Sequence, residues 1–474
     1  MARPDKRVKV GSRRTIAGLL LVLVASPLFT ACRGDSPPAG PRPNIVFIIV
    51  DALRKDHLSA FGYPRPTSPR LDALVAEGAL FENMTSAASQ TVPATASLLT
   101  GLYPSQSGVQ YFGRLHSFDG EHHWQEAGPH LAESHTLMAE WLGELGYRTG
   151  AAVSNPWLQS RFGFSQGFED YFFDDCVNLS APKQDVCDGN DLVERALEWL
   201  TASGDPDTKS PFFLYLHFMD VHSPYAKPGI TTERFVERRG SDRYVNGLAT
   251  DLSKRDLEYM TALYDEGIHH LDGVIGRFWD QLLELGAAEN TLFLVTSDHG
   301  DEFHEHGGLG HGTTLYEELL ASFLLLRYPE RLPAGRIAAP ISMIDLMPTL
   351  AELLEEPLPI EGLGRSVLGL ATNPDASGVS SRPLFSELGE LKAIRRGDWK
   401  LILNVESGGL ELFNVVADPG EQENLADSEP ENAQRLRDDL LRFLAGVAAV
   451  GTDSPHVPLD EETLERLRAL GYVQ

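Results

Sequence analysis

Imidazole and carboxylate side chains are concentrated between residues 298 and 311, which read DHGDEFHEHGGLGH. The apolar run Leu292–Val295 directly before them has the pattern of a fully buried parallel strand. Open α/β sheets bind ligands beyond the carboxyl ends of their strands. Because carboxylate and imidazole are both ligands of divalent metals, Asp298 and His299 could form half of a metal site. A solvated acidic loop is the alternative for this stretch considered alone, and His304 and His306 are assigned to such a loop.

Two further strand ends carry polar side chains. The apolar run Asn44–Val50 ends at Asp51, and the run Phe212–Phe218 leads to Asp220 and His222. An acidic residue after a central strand is either a ligand or a helix cap. Asp51 should face the same sheet edge as Asp298, so the pattern favours a ligand.

A helix N-terminus is predicted at Thr91, because Pro93 suits a first helical turn and Gly101 suits a helix end. Free N–H groups and the helix dipole at such a terminus stabilise an alkoxide or an oxyanion. A Thr there usually caps the helix. Beside a metal held by Asp51, Asp298 and His299, Thr91 becomes a candidate nucleophile.

Strand–helix alternation predicts an α/β domain with a mostly parallel sheet over residues 44–375. Short alternating strands and an amphipathic helix predict a C-terminal α+β subdomain over residues 376–474, ending in a terminal helix. Further helices are predicted at Ser253–Leu285 and Ile341–Leu354. His269 and His270 on the first of these helices are interpreted as packing or surface residues.

The whole chain is strongly acidic, with 40 basic against 68 acidic residues and a net charge of −28. That charge argues against nucleic acid as a partner and against electrostatic docking on anionic lipid. An anionic substrate would need a local source of positive charge, for which a metal is the obvious candidate.

Residues 1–31 have the basic start and apolar core of an export signal. The small residues before Cys32 are typical of a bacterial lipoprotein signal, with Cys32 lipidated and residues 32–43 forming a Pro/Gly tether. We therefore expect an exported protein of the periplasm or cell envelope, held to the membrane only through this lipid. Cys176 and Cys187 are expected to form a local disulfide there, with metal ligation as the alternative.

Ordered motifs over roughly residues 43–446 resemble the sulfatase family of the alkaline phosphatase superfamily, and they read NIVFIIVDALR, GYPRPTSPRLDALVAEGALFEN, TVPATASLLTGLYP, SDHGDEFHEHGGLGHGTTLYEE and WKLILN. The resemblance implies an alkaline-phosphatase-like α/β/α sandwich with a small C-terminal subdomain. It implies metal ligation by Asp51, Asp298 and His299, with Thr91 at the nucleophile position. It also implies that His222 contacts substrate, and His311 falls where sulfatases often carry a lysine.

Several positions depart from the family pattern. Thr91 replaces the Cys or Ser that sulfatases convert to formylglycine, so no formylglycine is expected, and Thr95 replaces the supporting Arg. Ala52 stands where a second acid is usual, and Asn155 where a Lys is usual. A phosphorylated Thr can be released by attack at phosphorus, whereas a sulfated Thr lacks the aldehyde exit route of sulfatases. These departures favour a phosphate- or phosphonate-type ester bound by Asn155, His222 and His311.

Several alternatives stay open at the level of sequence. Asp220, with His222 and His311, could hold a second metal. The ligand types suit Zn²⁺ or Mn²⁺, while the family resemblance favours Ca²⁺ or Mg²⁺. A sulfatase that uses Thr91 directly and a catalytically inactive, lipid-anchored binding protein are the rival functions. The expected substrate is a small-molecule, glycan-derived or lipid-derived anionic ester.

Overall fold

The computed structural model describes residues 42–110, 127–173, 188–202, 210–227, 229–240, 252–373, 382–448, 456–458 and 462. The predicted signal, Cys32, Cys176, Cys187 and the predicted terminal helix beyond 462 lie outside the described residues. The predicted boundary between residues 375 and 376 is within the compact unit Arg42–Gln474. Among the described helices, none combines the length and the apolar character that crossing a membrane requires.

The central sheet has nine strands and is mixed but mostly parallel, in the order β11-β2-β10-β7-β1-β6-β4-β5 with β12 added beside β2. The strands of the first domain are β1 (Asn44–Val50), β2 (Ala79–Thr85), β3 (Ala127–Pro129), β4 (Arg148–Val153), β5 (Asp170–Phe173), β6 (Phe212–Phe218), β7 (Thr291–Ser297), β8 (Glu302–Phe303), β9 (Leu309–Gly310), β10 (Ala321–Arg327), β11 (Gly335–Ile337) and β12 (Ile341–Ser342). Strand β10 runs antiparallel to both of its neighbours, β7 and β2.

Strand β1 lies in the middle of this sheet, and its side chains alternate between two apolar layers. Ile45, Phe47 and Ile49 belong to one buried cluster, whereas Val46 and Ile48 belong to the other. All five are fully buried. Burying a side chain of this size stabilises a fold by about 1.5–3 kcal/mol, so a continuous apolar strand specifies a position with both faces covered.

Helices cover both faces of the sheet and complete an α/β/α sandwich. The helices are α1 (Pro69–Glu77), α2 (Thr91–Thr100), α3 (Pro104–Ser107), α4 (Met138–Glu144), α5 (Gly189–Thr201), α6 (Lys254–Glu284), α7 (Glu317–Leu320), α8 (Leu346–Leu354), α9 (Leu368–Thr372) and α10 (Pro430–Ala448). Apolar residues of α2, α4 and α8 pack in the cluster that contains Phe47. Those of α1, α5 and α6 pack in the cluster that contains Ile48.

The C-terminal part forms a four-stranded antiparallel sheet, which consists of β13 (Leu384–Leu388), β14 (Leu391–Arg396), β15 (Trp399–Asn404) and β16 (Leu410–Asn414). Helix α10 packs on it, and the rings of Phe385 and Phe443 stack with their centroids 3.8 Å apart. A short strand β17 (His456–Pro458) pairs with β3. The predicted α/β sandwich with a small antiparallel subdomain is confirmed.

The start of the predicted helix at Ile341–Leu354 is wrong. Ile341 and Ser342 pair with β2, and the α-helix begins at Leu346. The reason is local, because Ser342 and Asp345 form a capping box that starts a helical turn after the strand. An apolar run of this kind fits a short buried strand as well as a helix.

Candidate active site

The candidate site lies at the carboxyl ends of neighbouring strands. Asp51 follows β1, Asp298 follows β7 and Asn155 follows β4 by two residues, while His217 belongs to β6. Strand β1 pairs in parallel with both β6 and β7. The backbone N–H of Asp51 continues this pairing by donating to the carbonyl of Phe218 at 2.9 Å. Parallel pairing thus brings side chains that are far apart in the chain to one sheet edge.

Asp51 is fully buried, and its two carboxylate oxygens have different surroundings. Oδ2 accepts hydrogen bonds from Asn155 Nδ2 at 2.7 Å and from His217 Nε2 at 3.2 Å. Oδ1 lies 3.7 Å from His299 Nε2. Burial alone would raise the pKa of Asp51, but the hydrogen bond from His217 and the favourable electrostatic interaction with the nearby imidazole rings hold it far below its ordinary value. Asp51 is therefore the anionic carboxylate of the site.

Asp298 presents one satisfied and one unsatisfied oxygen. Oδ1 accepts the backbone N–H groups of Ala52 at 3.2 Å and His299 at 2.8 Å. Ala52 reaches this position with a φ of 57°, an uncommon conformation for a residue with a Cβ. Oδ2 is buried and has no hydrogen-bond partner among the described residues. Burial and the adjacent charge of Asp51 raise the pKa of Asp298 well above its ordinary value.

His299 is held in the tautomer that a metal ligand needs. Its Nδ1 lies 2.9 Å from the carbonyl oxygen of Gly300, which can only accept, so Nδ1 carries the proton. Nε2 then presents a lone pair toward Thr91 Oγ1 at 3.3 Å and Asp298 Oδ2 at 3.6 Å. Burial and the neighbouring His311 lower the pKa of His299 to about 3, so the ring is neutral.

Thr91 is the first residue of α2, and its hydroxyl does not cap that helix. The capping position belongs to Gln90, whose side chain makes no capping bond. Thr91 Oγ1 is instead within 3.4 Å of Asp51 Oδ2 and 3.5 Å of Asp51 Oδ1. The residue is 3% exposed. The hydroxyl therefore points at the carboxylates and the imidazole, not along its own backbone.

These four side chains fit a divalent cation. Ligands about 2.1 Å from a metal lie roughly 3.0–3.4 Å apart, and the contacts among Asp51, Thr91, Asp298 and His299 span 3.3–3.7 Å. Asp298 Oδ2 is a buried oxygen that lacks a partner among the described residues, and two adjacent buried carboxylates need positive charge to ionise together. The ligand atoms of Asp51, His217 and Asp298 also lie within 4.8 Å of one another.

Two further imidazoles lie beside His299. The ring centroid of His311 is 4.4 Å from that of His299 and 5.0 Å from that of His222. His311 Nδ1 is 2.7 Å from Asp301 Oδ1, and Asp301 Oδ2 accepts from the Tyr225 hydroxyl at 2.8 Å. His222 Nδ1 donates to the carbonyl of Ser223 at 2.6 Å. Both rings are thereby oriented through Nδ1, so Nε2 is the nitrogen of each ring that can take part in chemistry.

Comparison with known proteins identifies the family of the chain. The profile of the sulfatase family matches residues 43–356. The chain belongs to the sulfatase family. It is 26% identical over 463 residues to an arylsulfatase of Clostridium perfringens, covering 85% of this chain and 95% of that protein. It is 23% identical over 550 residues to an N-acetylgalactosamine-6-O-sulfatase of Bacteroides thetaiotaomicron, covering 90% and 99% of the two chains.

A solved structure shows the same fold. The phosphonate monoester hydrolase of Agrobacterium radiobacter superposes with a TM-score of 0.70 at 20% identity, covering 86% of this chain and 96% of that one. As a sulfatase-family protein, the chain is a hydrolase that acts on ester bonds. Members of this family are typically metal-dependent, in agreement with the ligand types at the sheet edge.

Most of the residues predicted from the sequence lie in or next to the candidate site, but their contacts differ. Asp51, Thr91, Asp298 and His299 lie together, and His222 and His311 lie next to them. Asn155 was predicted to bind substrate. In the structure its Nδ2 donates to Asp51, and its Oδ1 accepts from Trp157 N at 2.9 Å. That it binds substrate stays a prediction, but these two hydrogen bonds make it a support for Asp51.

Asp220, which the sequence offered as a possible second-metal ligand with His222 and His311, has its recorded contacts elsewhere among the described residues. Its Oδ1 accepts from Gly189 N at 2.8 Å and lies 3.7 Å from His270 Nε2. With Asp188 and His270 it forms a separate cluster of possible ligands. His270, interpreted from the sequence as a packing or surface residue, is thus paired with acids. A second metal on the Asp220, His222 and His311 set therefore has no support from these contacts.

Two residues of the site, His217 and Asp301, were not predicted from the sequence. His217 lies inside a strand whose other residues are apolar or aromatic, and Asp301 lies three positions beyond Asp298 among other acids. A polar residue inside the apolar run Phe212–Phe218 was the available signal for His217, because a His in a buried strand needs a partner. No comparable signal separates Asp301 from its acidic neighbours.

Proposed function

We propose that this hydrolase cleaves a phosphate- or phosphonate-type ester with Thr91 as its nucleophile. The observation that carries the proposal is the position of Thr91 Oγ1, which lies 3.3 Å from His299 Nε2 and 3.4 Å from Asp51 Oδ2. Asp51, Thr91, Asp298 and His299 would hold one divalent cation. When bound, the cation would supply positive charge that favours ionisation of the Thr91 hydroxyl and offsets negative charge on the ester.

The choice of a phosphorus-centred ester follows from the nucleophile. A sulfated formylglycine hydrate can expel sulfate by collapsing to the aldehyde, whereas a sulfated Thr has no such route. A Thr ester of phosphorus can be released by water attacking phosphorus. The fold is shared with a protein named as a phosphonate monoester hydrolase, which supports the proposal but is a likeness of fold only.

The proposed reaction has two displacements at the same centre. Thr91 Oγ1 attacks phosphorus and passes its proton to His222 Nε2, the bond to the ester oxygen breaks, and that oxygen takes a proton from His311 Nε2. Water then attacks phosphorus and passes a proton to His311 Nε2, while the bond to Thr91 breaks and the Thr91 oxygen recovers its proton from His222. Asp301 keeps the His311 ring oriented through Nδ1 at 2.7 Å. Burial lowers the pKa of His222, so its neutral Nε2 can accept the Thr91 proton in the first displacement.

Replacing Thr91 tests the nucleophile assignment. Thr91→Ala should lower turnover of a phosphonate monoester or phosphodiester by at least about 10³-fold, with unchanged circular dichroism. The matched control is Thr95→Ala, one turn along the same helix, because the Thr95 hydroxyl is buried without a hydrogen-bond partner among the described residues. Full activity in Thr91→Ala would show that Thr91 is not the nucleophile.

A sulfate ester is the second candidate substrate, because the arylsulfatase of Clostridium perfringens is a relative over most of the chain. Metal-reconstituted protein should be assayed with an aryl sulfate, a phosphate monoester, a phosphodiester and a phosphonate monoester carrying the same leaving group. We expect the highest kcat/KM with a phosphodiester or phosphonate. Preference for the sulfate would reverse the substrate assignment, and inactivity with every substrate and metal would indicate a binding protein.

We further propose that the protein is exported and anchored through a lipid on Cys32, presenting the site to a small-molecule, glycan-derived or lipid-derived anionic ester. The support is the basic start, apolar core and Cys32 in residues 1–32 of the sequence. Detergent partitioning of the full chain and of Cys32→Ala tests the anchor. The wild-type chain should enter the detergent phase and the variant the aqueous phase. Identical partitioning of the two would contradict the lipid anchor.

A further inference from the structure

A chain of two hydrogen bonds reaches Asp51 from inside the sheet. The Tyr215 hydroxyl lies 2.8 Å from His217 Nδ1, and His217 Nε2 lies 3.2 Å from Asp51 Oδ2. Both residues belong to β6, two positions apart, so their side chains point to the same face of the sheet. Tyr215 and His217 are 1% and 0% exposed. Neither residue has a role in the proposed reaction.

The proton positions in this chain follow from the available acceptors. The hydroxyl of Tyr215 has His217 Nδ1 as its hydrogen-bond contact among the described residues. If Nδ1 carried a proton, the buried hydroxyl proton would have no acceptor, which is costly. Tyr215 therefore donates to Nδ1, and the neutral ring carries its proton on Nε2. His217 then donates to Asp51 and has no lone pair for a metal on that nitrogen.

The consequence for Asp51 is that one oxygen is fully used by the protein. Oδ2 accepts from both Asn155 and His217, whereas Oδ1 accepts from neither and lies 3.5 Å from Thr91 Oγ1 and 3.7 Å from His299 Nε2. Asp298 has the same division, because two backbone N–H groups engage Oδ1 and leave Oδ2. Each carboxylate can therefore offer the metal a single oxygen.

We propose that Tyr215 and His217 are positioning residues that hold Asp51 as a single-oxygen ligand, so that the site selects a Zn²⁺-type ion over Ca²⁺. This inference deepens the proposed function and rests on its metal site. Ca²⁺ takes six to eight oxygen ligands and commonly binds carboxylates through both oxygens. Zn²⁺ is satisfied by four donors that include imidazole. The donors in this site are Asp51 Oδ1, Asp298 Oδ2, Thr91 Oγ1 and His299 Nε2.

Calorimetric titration of chelator-treated protein with Zn²⁺ and with Ca²⁺ tests this inference without any substrate. We expect one equivalent of Zn²⁺ to bind at least about 100-fold more tightly than Ca²⁺. Tyr215→Phe and His217→Ala should each weaken Zn²⁺ binding by about 10–100-fold and leave Ca²⁺ binding unchanged or stronger. His217→Gln should retain most of the Zn²⁺ affinity, because its amide nitrogen can replace Nε2 as a donor to Asp51.

Tyr171→Phe is the matched control, since the hydroxyl of the half-buried Tyr171 donates to the Leu158 carbonyl and has no hydrogen bond to a proposed ligand among the described residues. It should bind Zn²⁺ like the wild type. Tighter binding of Ca²⁺ than Zn²⁺, or wild-type Zn²⁺ affinity in both Tyr215→Phe and His217→Ala, would overturn the proposal. Loss in His217→Gln equal to that in His217→Ala, with no loss in Tyr215→Phe, would make His217 a ligand and also overturn it. Because no turnover is measured, a wrong substrate assignment would not affect these results.

Discussion

The side chains of the site divide their atoms between the protein and a cation. In Asp51, Asp298 and His299, one polar atom is engaged by a fixed protein group and the other lies toward the neighbouring members of the site. This division determines orientation and protonation before any ligand binds, which is the usual function of supporting hydrogen bonds around a metal. It also explains why the Thr91 hydroxyl lies close to three acceptor atoms, the two oxygens of Asp51 and Nε2 of His299, although it has a single proton to donate.

Replacing Asp301 should lower kcat most for esters with a poor leaving group. Asp301→Asn would disturb the orientation of His311, whose Nδ1 lies 2.7 Å from the carboxylate. We expect kcat to fall by about 10–100-fold for an alkyl ester and by a smaller factor for a nitrophenyl ester, which needs little protonation. Tyr225→Phe, which removes only the other bond to Asp301, should have a smaller effect. Equal losses with both leaving groups would contradict the role of His311 as a proton donor.

Much of this residue-scale picture could be predicted from the sequence. Asp51, Asp298 and His299 follow apolar strands, and that pattern alone places them at one edge. His217 could not be assigned, because its partner Asp51 is 166 positions away and strand order is not visible in the sequence. The contacts of Asp220 could not be assigned for the same reason, since they come from α5 and α6.

At the scale of elements, the stretch after β7 is tied to the C-terminal subdomain by His306. Its Nδ1 lies 2.7 Å from Glu318 Oε1, and its Nε2 lies 3.1 Å from the carbonyl oxygen of Glu421. With an acceptor at each nitrogen, the ring can donate from both nitrogens when it is an imidazolium. Burial would lower the pKa of His306, but the bonds to Glu318 and Glu421 raise it above its ordinary value.

This tie predicts a pH dependence of stability. The pKa of His306 is raised on folding. The contribution of His306 to the free energy of unfolding is therefore complete below about pH 6.5, and it is lost as the pH rises through the folded-state pKa. The free energy of unfolding in urea should therefore fall more steeply above pH 6.5 for the wild type than for His306→Gln. The exposed His304→Gln is the control and should behave as the wild type. Parallel pH profiles for the wild type and His306→Gln would contradict the tie.

At the scale of the whole molecule, the described residues from 42 onward form one compact unit, Arg42–Gln474. The apolar cluster on the α2 face of the sheet runs without interruption into the C-terminal sheet and α10. The stacked rings of Phe385 and Phe443, with Tyr103 at 5.3 Å from Phe443, lie at this junction. The fold class could be read from strand–helix alternation, but this joint packing could not, because it depends on contacts between distant segments.

Phe443→Ala should therefore destabilise the whole protein and not α10 alone. We expect a loss of about 3 kcal/mol in the free energy of unfolding, seen as one shifted urea transition by both circular dichroism and Trp fluorescence. Leu441→Ala, on the same helix with a side chain that is 42% exposed, should change stability by less than about 0.5 kcal/mol. Two separate transitions in the Phe443 variant would show that the subdomain unfolds independently.

The central claim is that Thr91 becomes covalently bonded to the ester centre during turnover. Metal-reconstituted protein should be mixed with a phosphonate monoester, quenched in acid within one turnover, digested and sequenced by mass spectrometry. We predict a phosphonyl group on Thr91 that appears with the burst of leaving group and is absent in Thr91→Ala. Steady turnover with an unmodified Thr91 peptide at every quench time would contradict the mechanism.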